Sequence, residues 1–260
     1  IRNDKNEGFA RGCNIGLSHA TGDYLLLLNP DAQANAKSLR GMVKFLERNP
    51  HVGMVGCELL HADGEPQLSA YSELSPWSYI HDHSMFYPTI ERIRKFFLRL
   101  GIGRRDRPFA CDWLQGACMM IPRRVYEEVG GMEESYFIYG EDTDWCHRIR
   151  NEGFLIVHMP NLKIPHKQMS SVSKKPEYCF RRVYRSIVHY ANRLIPEPRR
   201  TRIFKTMVAD MYLRKPCYFL LSVLRPARRE HYLDRIQSVD RMIHIIKARD
   251  PDLYDDPPPQ

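Results

Sequence analysis

The sequence predicts an α/β domain followed by a basic, helical C-terminal region. Three observations carry this prediction. Short apolar runs at 24–28 and 52–60 alternate with amphipathic stretches across residues 1–170, as strands covered by helices require. From residue 174 onward the apolar residues recur at helical spacing. The charge changes at the same point: residues 174–249 hold 19 Lys and Arg against 6 Asp and Glu, and the remainder holds 20 against 25. A mildly acidic front is thus joined to a strongly basic back.

Residues 6–20 predict a helix with Phe9, Cys13 and Leu17 on one face, ended by Thr21-Gly22-Asp23. Tyr24–Leu28 is a continuous apolar run between turn signals and reads as a buried central strand, stopping at Asn29-Pro30-Asp31. Ala36–Arg48 predicts a second amphipathic helix with Leu39, Met42, Val43 and Leu46 inward. Val52–Leu60 reads as a strand and Asp63-Gly64 as a turn.

Residues 70–108 read as irregular. They include Tyr71, Trp77, Tyr79, Phe86 and Tyr87, then a basic amphipathic piece at 91–100 with Ile93, Phe96, Phe97 and Leu100 as its apolar residues. An insert of this length is either functional or disordered. A strand follows at 113–121, then a short helix, Arg123–Val129, closed by Gly130-Gly131. A helix opens at Glu141, carries Trp145 and Ile149 at i, i+4, and stops at Asn151-Glu152-Gly153; residues 154–158 read as a strand.

Three C-terminal helices are expected, over 177–194, 199–213 and 228–247. The apolar run 217–224 between Pro216 and Pro226 is far shorter than the ~20 residues of a spanning helix, so it lies in a membrane interface or packs against the domain. The tail 250–260 is acidic, Pro-rich and expected to be disordered. The expected domains are therefore 1–173, 174–249 and a tail.

Seven cysteines, an odd number with no C-x-x-C pair, argue against a disulfide framework or a thiolate zinc site and fit a cytoplasmic protein. The chain begins with Ile1, which fits a fragment or a processed product. The basic back suits anionic lipid headgroups, a diphosphate-bearing acceptor or nucleic acid. No zinc spacing or aromatic RNA-binding signature supports nucleic acid, which is set aside.

Glu141, Asp142 and Asp144 open a helix directly after the aromatic loop Tyr136-Phe137-Ile138-Tyr139-Gly140. They form either a general base beside a sugar pocket or an acidic first turn that complements the helix dipole. Asp31 follows the end of a strand, where ligands of α/β sheets bind. It either holds a divalent metal on a diphosphate or belongs to an ordinary Asn-Pro-Asp turn. His166 is a metal ligand, a diphosphate contact or a structural residue. Gln115-Gly116-Ala117 interrupts a strand with small residues, for a closely approaching ligand or for a bulge.

Taken in order, Asn6-Glu7-Gly8-Phe9-Ala10, Asn14-Ile15-Gly16, Ala20-Thr21-Gly22-Asp23-Tyr24 and Leu27-Leu28-Asn29-Pro30-Asp31 resemble the middle of a family 2 glycosyltransferase. The likeness continues through Gly116-Ala117-Cys118-Met119, Gly130-Gly131-Met132-Glu133-Glu134, Tyr139-Gly140-Glu141-Asp142-Thr143-Asp144 and His166. Within that family the chain looks most like bacterial rhamnosyltransferases acting on cell-surface polysaccharides.

The resemblance implies a GT-A-like, Rossmann-type sheet and an inverting transfer from a nucleotide-sugar donor, dTDP-rhamnose or a UDP-sugar, with Mn or Mg. Asp31 matches the last acid of the metal-binding D-x-D motif, whose first acid is replaced by Asn29. Asp142 matches the base, with Glu141 beside it to orient the acceptor or hold the loop. His166 matches a late metal or diphosphate ligand, and Asn14, Gly116 and Ala117 fall with Asp31 on the donor side. Asp144 is then left to cap the helix, and Tyr136, Phe137 and Tyr139 to line the sugar pocket.

The family's opening strand-helix-strand unit, which binds the nucleobase, has no counterpart here. The implied acceptor is a glycan or a polyprenyl-diphosphate-linked sugar, met by peripheral contact with an anionic membrane at its cytoplasmic face. The rival readings are a non-catalytic glycan-binding remnant and a transferase of galactofuranose, glucose or mannose.

Overall fold

The computed structural model describes residues 1–3, 5–103, 105–167 and 176–252. It divides into two compact units: residues 1–73 with 104–170, and 74–103 with 171–260. The insert 74–103 therefore groups with the C-terminal helices, whereas the linear boundary at 173 places it with the sheet. Of the tail expected to be disordered, 253–260 lie outside the described residues.

The first unit is a helix–sheet–helix sandwich. In chain order it runs α1 (Phe9–His19), β1 (Tyr24–Leu28), α2 (Ala36–Arg48), β2 (Val52–Leu60) and β3 (Ala70–Tyr71). After the insert come β4 (Phe109–Cys111), β5 (Trp113–Leu114), β6 (Cys118–Pro122), α5 (Arg123–Val129), α6 (Glu141–Asn151) and β7 (Leu155–Pro165). The insert itself contributes α3 (Pro76–Asp82) and α4 (Tyr87–Arg99) to the second unit.

The main sheet has the order β1-β6-β2-β7-β4 and is mixed: β2 and β7 pair in parallel, and the other neighbours are antiparallel. Alternation along β6 sends Met119 and Ile121 to one face, with Ala10, Leu17, Trp145 and Ile149. Cys118 and Met120 go to the other, with Met42 and Leu46 of α2. This is the α/β arrangement that the sequence predicts. Four of its elements, β1, α2, β2 and α5, have the predicted bounds.

β1 corrects one expectation. It lies at the end of the sheet rather than in its middle, with Leu25 and Leu27 buried and Leu28 exposed. An all-apolar run reports cover on both faces, which helices supply here, and says nothing about how many neighbours a strand has. The strand expected over 113–121 is split by a turn at 115–117, and β7 extends well beyond the predicted 154–158.

The second unit is helical, and the insert read as irregular supplies two of its helices. α3 starts with a reciprocal capping box between Ser75 and Ser78, with proline in its first turn. The C-terminal helices are α7 (Pro176–Leu194), α8 (Arg199–Leu224) and α9 (Arg229–Ala248). α8 runs through Pro216, where the sequence predicts a stop before it. Its pairing with α9, including Lys215 Nζ to Asp240 Oδ1 at 2.7 Å, outweighs the lost backbone bond. The run 217–224 forms the end of α8: Ser222 is buried and the Tyr218 ring lies 5.8 Å from the Arg235 guanidinium of α9, while Phe219, Leu220, Val223 and Leu224 are exposed. Among the described residues no helix is long and apolar enough to cross a membrane.

A buried polar cluster ties this unit together. Asp210 Oδ2 accepts from Tyr79 at 2.8 Å and from Arg214 Nε at 2.8 Å, while Oδ1 accepts from the Met85 amide at 2.9 Å. Arg214 also donates to the His83 carbonyl at 2.7 Å. Asp210→Ala leaves a buried guanidinium without its carboxylate. It is expected to lower the unfolding free energy of the intact chain by about 3–5 kcal/mol, measured by denaturant titration.

Candidate active site

The chain leaves β1 at Leu28 and turns through Asn29-Pro30-Asp31. The turn is closed by the Ala32 amide on the Asn29 carbonyl at 3.0 Å. It runs beside the segment after β7: Ala32 bridges His166, and the Lys167 amide donates to the Asp31 carbonyl at 3.1 Å. This pairing brings His166 Nε2 within 3.2 Å of Asp31 Oδ1, with the histidine buried and the carboxylate partly so.

Gln67, which sequence reasoning missed, fixes the imidazole. Its amide nitrogen donates to the His166 carbonyl at 2.6 Å, so its oxygen faces His166 Nδ1, 2.9 Å away, as an acceptor. Nδ1 therefore donates to Gln67, and Nε2 faces Asp31, a lone pair there when the ring is neutral and an N–H donor when it is protonated. Two acceptors at that distance call for a cation between them, either a proton or a metal ion. An imidazole steered through its other nitrogen is also how metal-binding histidines are held. Among the described residues no three His, Cys, Asp or Glu side chains gather as a metal site. The donor set present is one carboxylate and one imidazole, which suits an ion that takes further oxygens from a substrate phosphate.

The second half of the site is the start of α6. Tyr139 (φ 69°) and Gly140 (φ 90°) both take the left-handed conformation, which turns the chain sharply into the helix at Glu141. For Tyr139, a residue with a Cβ, this costs on the order of 1 kcal/mol. The loop before it is held from α1: the Phe9 amide donates to the Phe137 carbonyl at 2.9 Å. Gly8 (φ 95°) permits this approach, because a Cβ there would fall 2.5 Å from the Phe137 oxygen.

Asp142 Oδ2 accepts the Gly116 amide at 3.0 Å; Oδ1 accepts the Thr143 amide at 2.7 Å and the Thr143 hydroxyl at 3.3 Å. Burial raises the Asp142 pKa, and these donors oppose the rise by favouring the anion. Glu141 is buried, and its Oε2 finds no hydrogen-bond partner among the described residues. Burial first, and then the charge of Asp142, push the Glu141 pKa up to about 8. Of the two, Glu141 keeps a proton near neutrality and Asp142 carries the negative charge.

The turn at 115–117 joins the two halves. Gly116 donates to Asp142, and the Ala117 carbonyl accepts the Asn29 amide at 3.0 Å. Glycine is not forced at 116 by crowding, since a Cβ there would make only ordinary contacts.

Three other residues lie elsewhere. Asn14 does not reach toward Asp31: its amide donates to the Met132 carbonyl at 2.8 Å and to Glu134 at 2.9 Å, and its oxygen accepts the Met132 amide at 2.8 Å. Gly131 makes room for it, since a Cβ there would fall 2.4 Å from Asn14 Oδ1. Asp144 does not cap the helix. It is fully buried, accepting Arg148 Nε at 2.8 Å and the Tyr136 hydroxyl at 3.2 Å. Tyr136 is thereby a buried residue, 3% exposed, whose hydroxyl is bound to Asp144.

A model described as "Glycosyl transferase family 2" matches residues 1–130. The chain belongs to glycosyl transferase family 2. A second model, "N-terminal domain of galactosyltransferase", matches residues 101–171 of this family 2 chain. The N-acetylglucosaminyl-diphospho-decaprenol L-rhamnosyltransferase of Mycobacterium tuberculosis is 25% identical over 171 residues, covering 59% of this chain and 50% of the relative. The dTDP-rhamnosyl transferase RfbF of Shigella flexneri is 28% identical over 167 residues, covering 62% and 49%. The chain thus spans about half the length of these curated relatives. Among solved structures, the mannosyltransferase PcManGT of Pyrobaculum calidifontis, in complex with GDP-Man and Mn2+, superposes with a TM-score of 0.47 at 16% identity, covering 96% of this chain and 68% of that one.

The raised Glu141 pKa couples folding to proton uptake. The sign follows: with a folded value near 8 against an ordinary 4.5, stability falls as pH rises through that interval and levels off above it. Glu141→Gln, which cannot ionise, is expected to lose this fall. Its unfolding free energy should gain on the wild type between pH 5 and pH 8 by about 1 kcal/mol or more, followed by denaturant titration across pH.

Proposed function

We propose that this family 2 protein is an inverting hexosyltransferase that moves rhamnose from a nucleotide-diphosphate donor to a glycan or polyprenyl-diphosphate-linked acceptor. The observation that carries the reading is the single turn at 115–117, which ties an anionic, partly buried Asp142 to the loop bearing Asp31, the partner of His166. The intact acid pair speaks against the non-catalytic remnant. Rhamnose as the sugar rests on the activities for which these relatives are named. The galactosyltransferase match over 101–171 favours a galactose-class donor as the second reading. A donor screen read as nucleotide diphosphate release separates the two.

In this reading Asp142 is the base. The acceptor hydroxyl gives its proton to a carboxylate oxygen of Asp142 as it attacks the anomeric carbon, and the diphosphate leaves from the opposite face. The three donors on Asp142 hold its oxygens in place, and the protonated Glu141 beside it adds no second charge to be neutralised. Asp31 and His166 would hold a Mn or Mg ion, and Gly116 and Ala117 would border the donor. A bound divalent ion would neutralise the charge that develops on the departing diphosphate. Asn14 acts through the loop it clamps, keeping the 131–134 segment in place ahead of α6.

A lipid-linked acceptor implies a cytoplasmic enzyme in peripheral contact with an anionic membrane. The basic residues of 174–249 and the exposed Phe219, Leu220, Val223 and Leu224 support that contact.

Asp142→Asn is expected to lower turnover about 10²–10⁴-fold while donor affinity is kept, and full turnover in that variant would overturn the assignment. Gln67→Leu frees the imidazole. It should raise the Mn concentration for half-maximal activity about 10–100-fold, with activity recovered at saturating metal.

A further inference from the structure

We propose that α4 is a membrane-surface anchor, its apolar stripe seated in the interface of an anionic bilayer. The inference rests on the proposed peripheral membrane contact and names a surface for it outside the basic C-terminal segment. Ile93, Phe96, Phe97 and Leu100 follow one another at i, i+3, i+4 and i+7, the spacing of a single helical face. In a soluble domain such a face is normally covered. Here the four side chains are 52%, 59%, 44% and 59% exposed, and Ile102, in the turn that follows, is 56% exposed. The two phenyl rings meet edge to face with centroids 5.7 Å apart, so the stripe presents one continuous apolar ridge.

Charge identifies the occupant. Residues 87–99 contain Arg92, Arg94, Lys95 and Arg99 against a single acid, Glu91. Glu91 is already engaged by Arg94, at 2.6 and 2.8 Å, and lies 3.8 Å from Lys95 Nζ. The helix therefore carries net positive charge alongside an aromatic and aliphatic ridge. Interfacial helices pair Phe and Leu on one face with Lys and Arg on the other in this way. At 13 residues α4 is about 20 Å long, sufficient to lie in the headgroup plane and too short to cross. A second protein copy suits the ridge less well. Stable interfaces bury about 800 Å² per partner with charge depleted at their core, whereas this ridge is one helix wide with cations on the same short helix.

The test is flotation of the intact chain with phosphatidylglycerol/phosphatidylcholine vesicles and with phosphatidylcholine alone, at moderate salt. Three proteins are compared: wild type, F96E/F97E and L220E/V223E, each checked for folding by thermal denaturation and for mass by light scattering. The expected result is flotation of wild type with the anionic vesicles and a loss of about tenfold or more in F96E/F97E, which stays folded. Flotation of F96E/F97E at the wild-type level, with loss only in L220E/V223E, overturns the role of α4 and leaves peripheral binding standing. Failure of wild type to float overturns peripheral binding and this inference with it. A wild-type dimer that becomes monomeric in F96E/F97E assigns the stripe to a second copy and overturns the lipid assignment.

Discussion

One tight turn fixes the relation between the two acidic parts of the site. The Gly116 amide reaches Asp142 Oδ2, and the adjoining Ala117 carbonyl takes the Asn29 amide. The turn is itself pinned to the sheet, because the Gln115 amide donates to the Ser69 carbonyl at 3.0 Å and β6 begins at Cys118. A shift of this backbone would move a carboxylate on a helix and a loop at a strand end together. The small residues at 116 and 117 leave the backbone groups accessible to both partners, so what matters chemically here is the peptide units rather than the side chains.

The adjacent acids are made unlike by their partners rather than by their identity. Both are desolvated, which alone would protonate each of them. Three donors converge on Asp142, and Glu141 Oε2 receives none among the described residues, so the proton settles on Glu141. Two neighbouring desolvated carboxylates cannot both ionise cheaply, and uneven hydrogen bonding decides which one does. The left-handed pair Tyr139 and Gly140 belongs to the same design. It brings the chain into the helix abruptly enough to put both acids in the first turn, with the Gly8–Phe137 contact holding the approach.

Much of this was legible in the sequence because the signals were local. The run Tyr24–Leu28, the inward positions of Ala36–Arg48 and the Gly130 stop after Val129 each depend on a few neighbouring residues. Ordered motifs also name Glu141, Asp142, Asp31 and His166 as candidates, and the structure sets His166 beside Asp31 and binds Asp142 to Gly116. What was not legible depends on contacts distant in sequence. Gln67 lies 99 residues from the histidine it orients, and nothing in its flanking sequence marks it. Asp144 reads as a cap by position, yet the fold encloses it between Arg148 and Tyr136. The insert at 74–103 lacks an apolar repeat long enough to declare α3. Pro216 suggests a helix stop that the α8–α9 pairing overrides.

Asn29 gives the metal reading its quantitative edge. If Asp31 and His166 hold the cation as proposed, the protein contributes one negative charge and one neutral imidazole to a doubly charged ion. The remaining positive charge has no counterpart among these ligands, and an acid at position 29 would have removed it. A diphosphate supplies both the missing charge and the missing oxygens, so ion and donor would stabilise one another in the site. Reciprocity then follows from thermodynamics: whatever factor the diphosphate adds to metal affinity, the metal adds to diphosphate affinity. The Gln67–His166 hydrogen bonds fit this economy. With only two protein ligands, holding the imidazole in advance spares the ion the cost of ordering it.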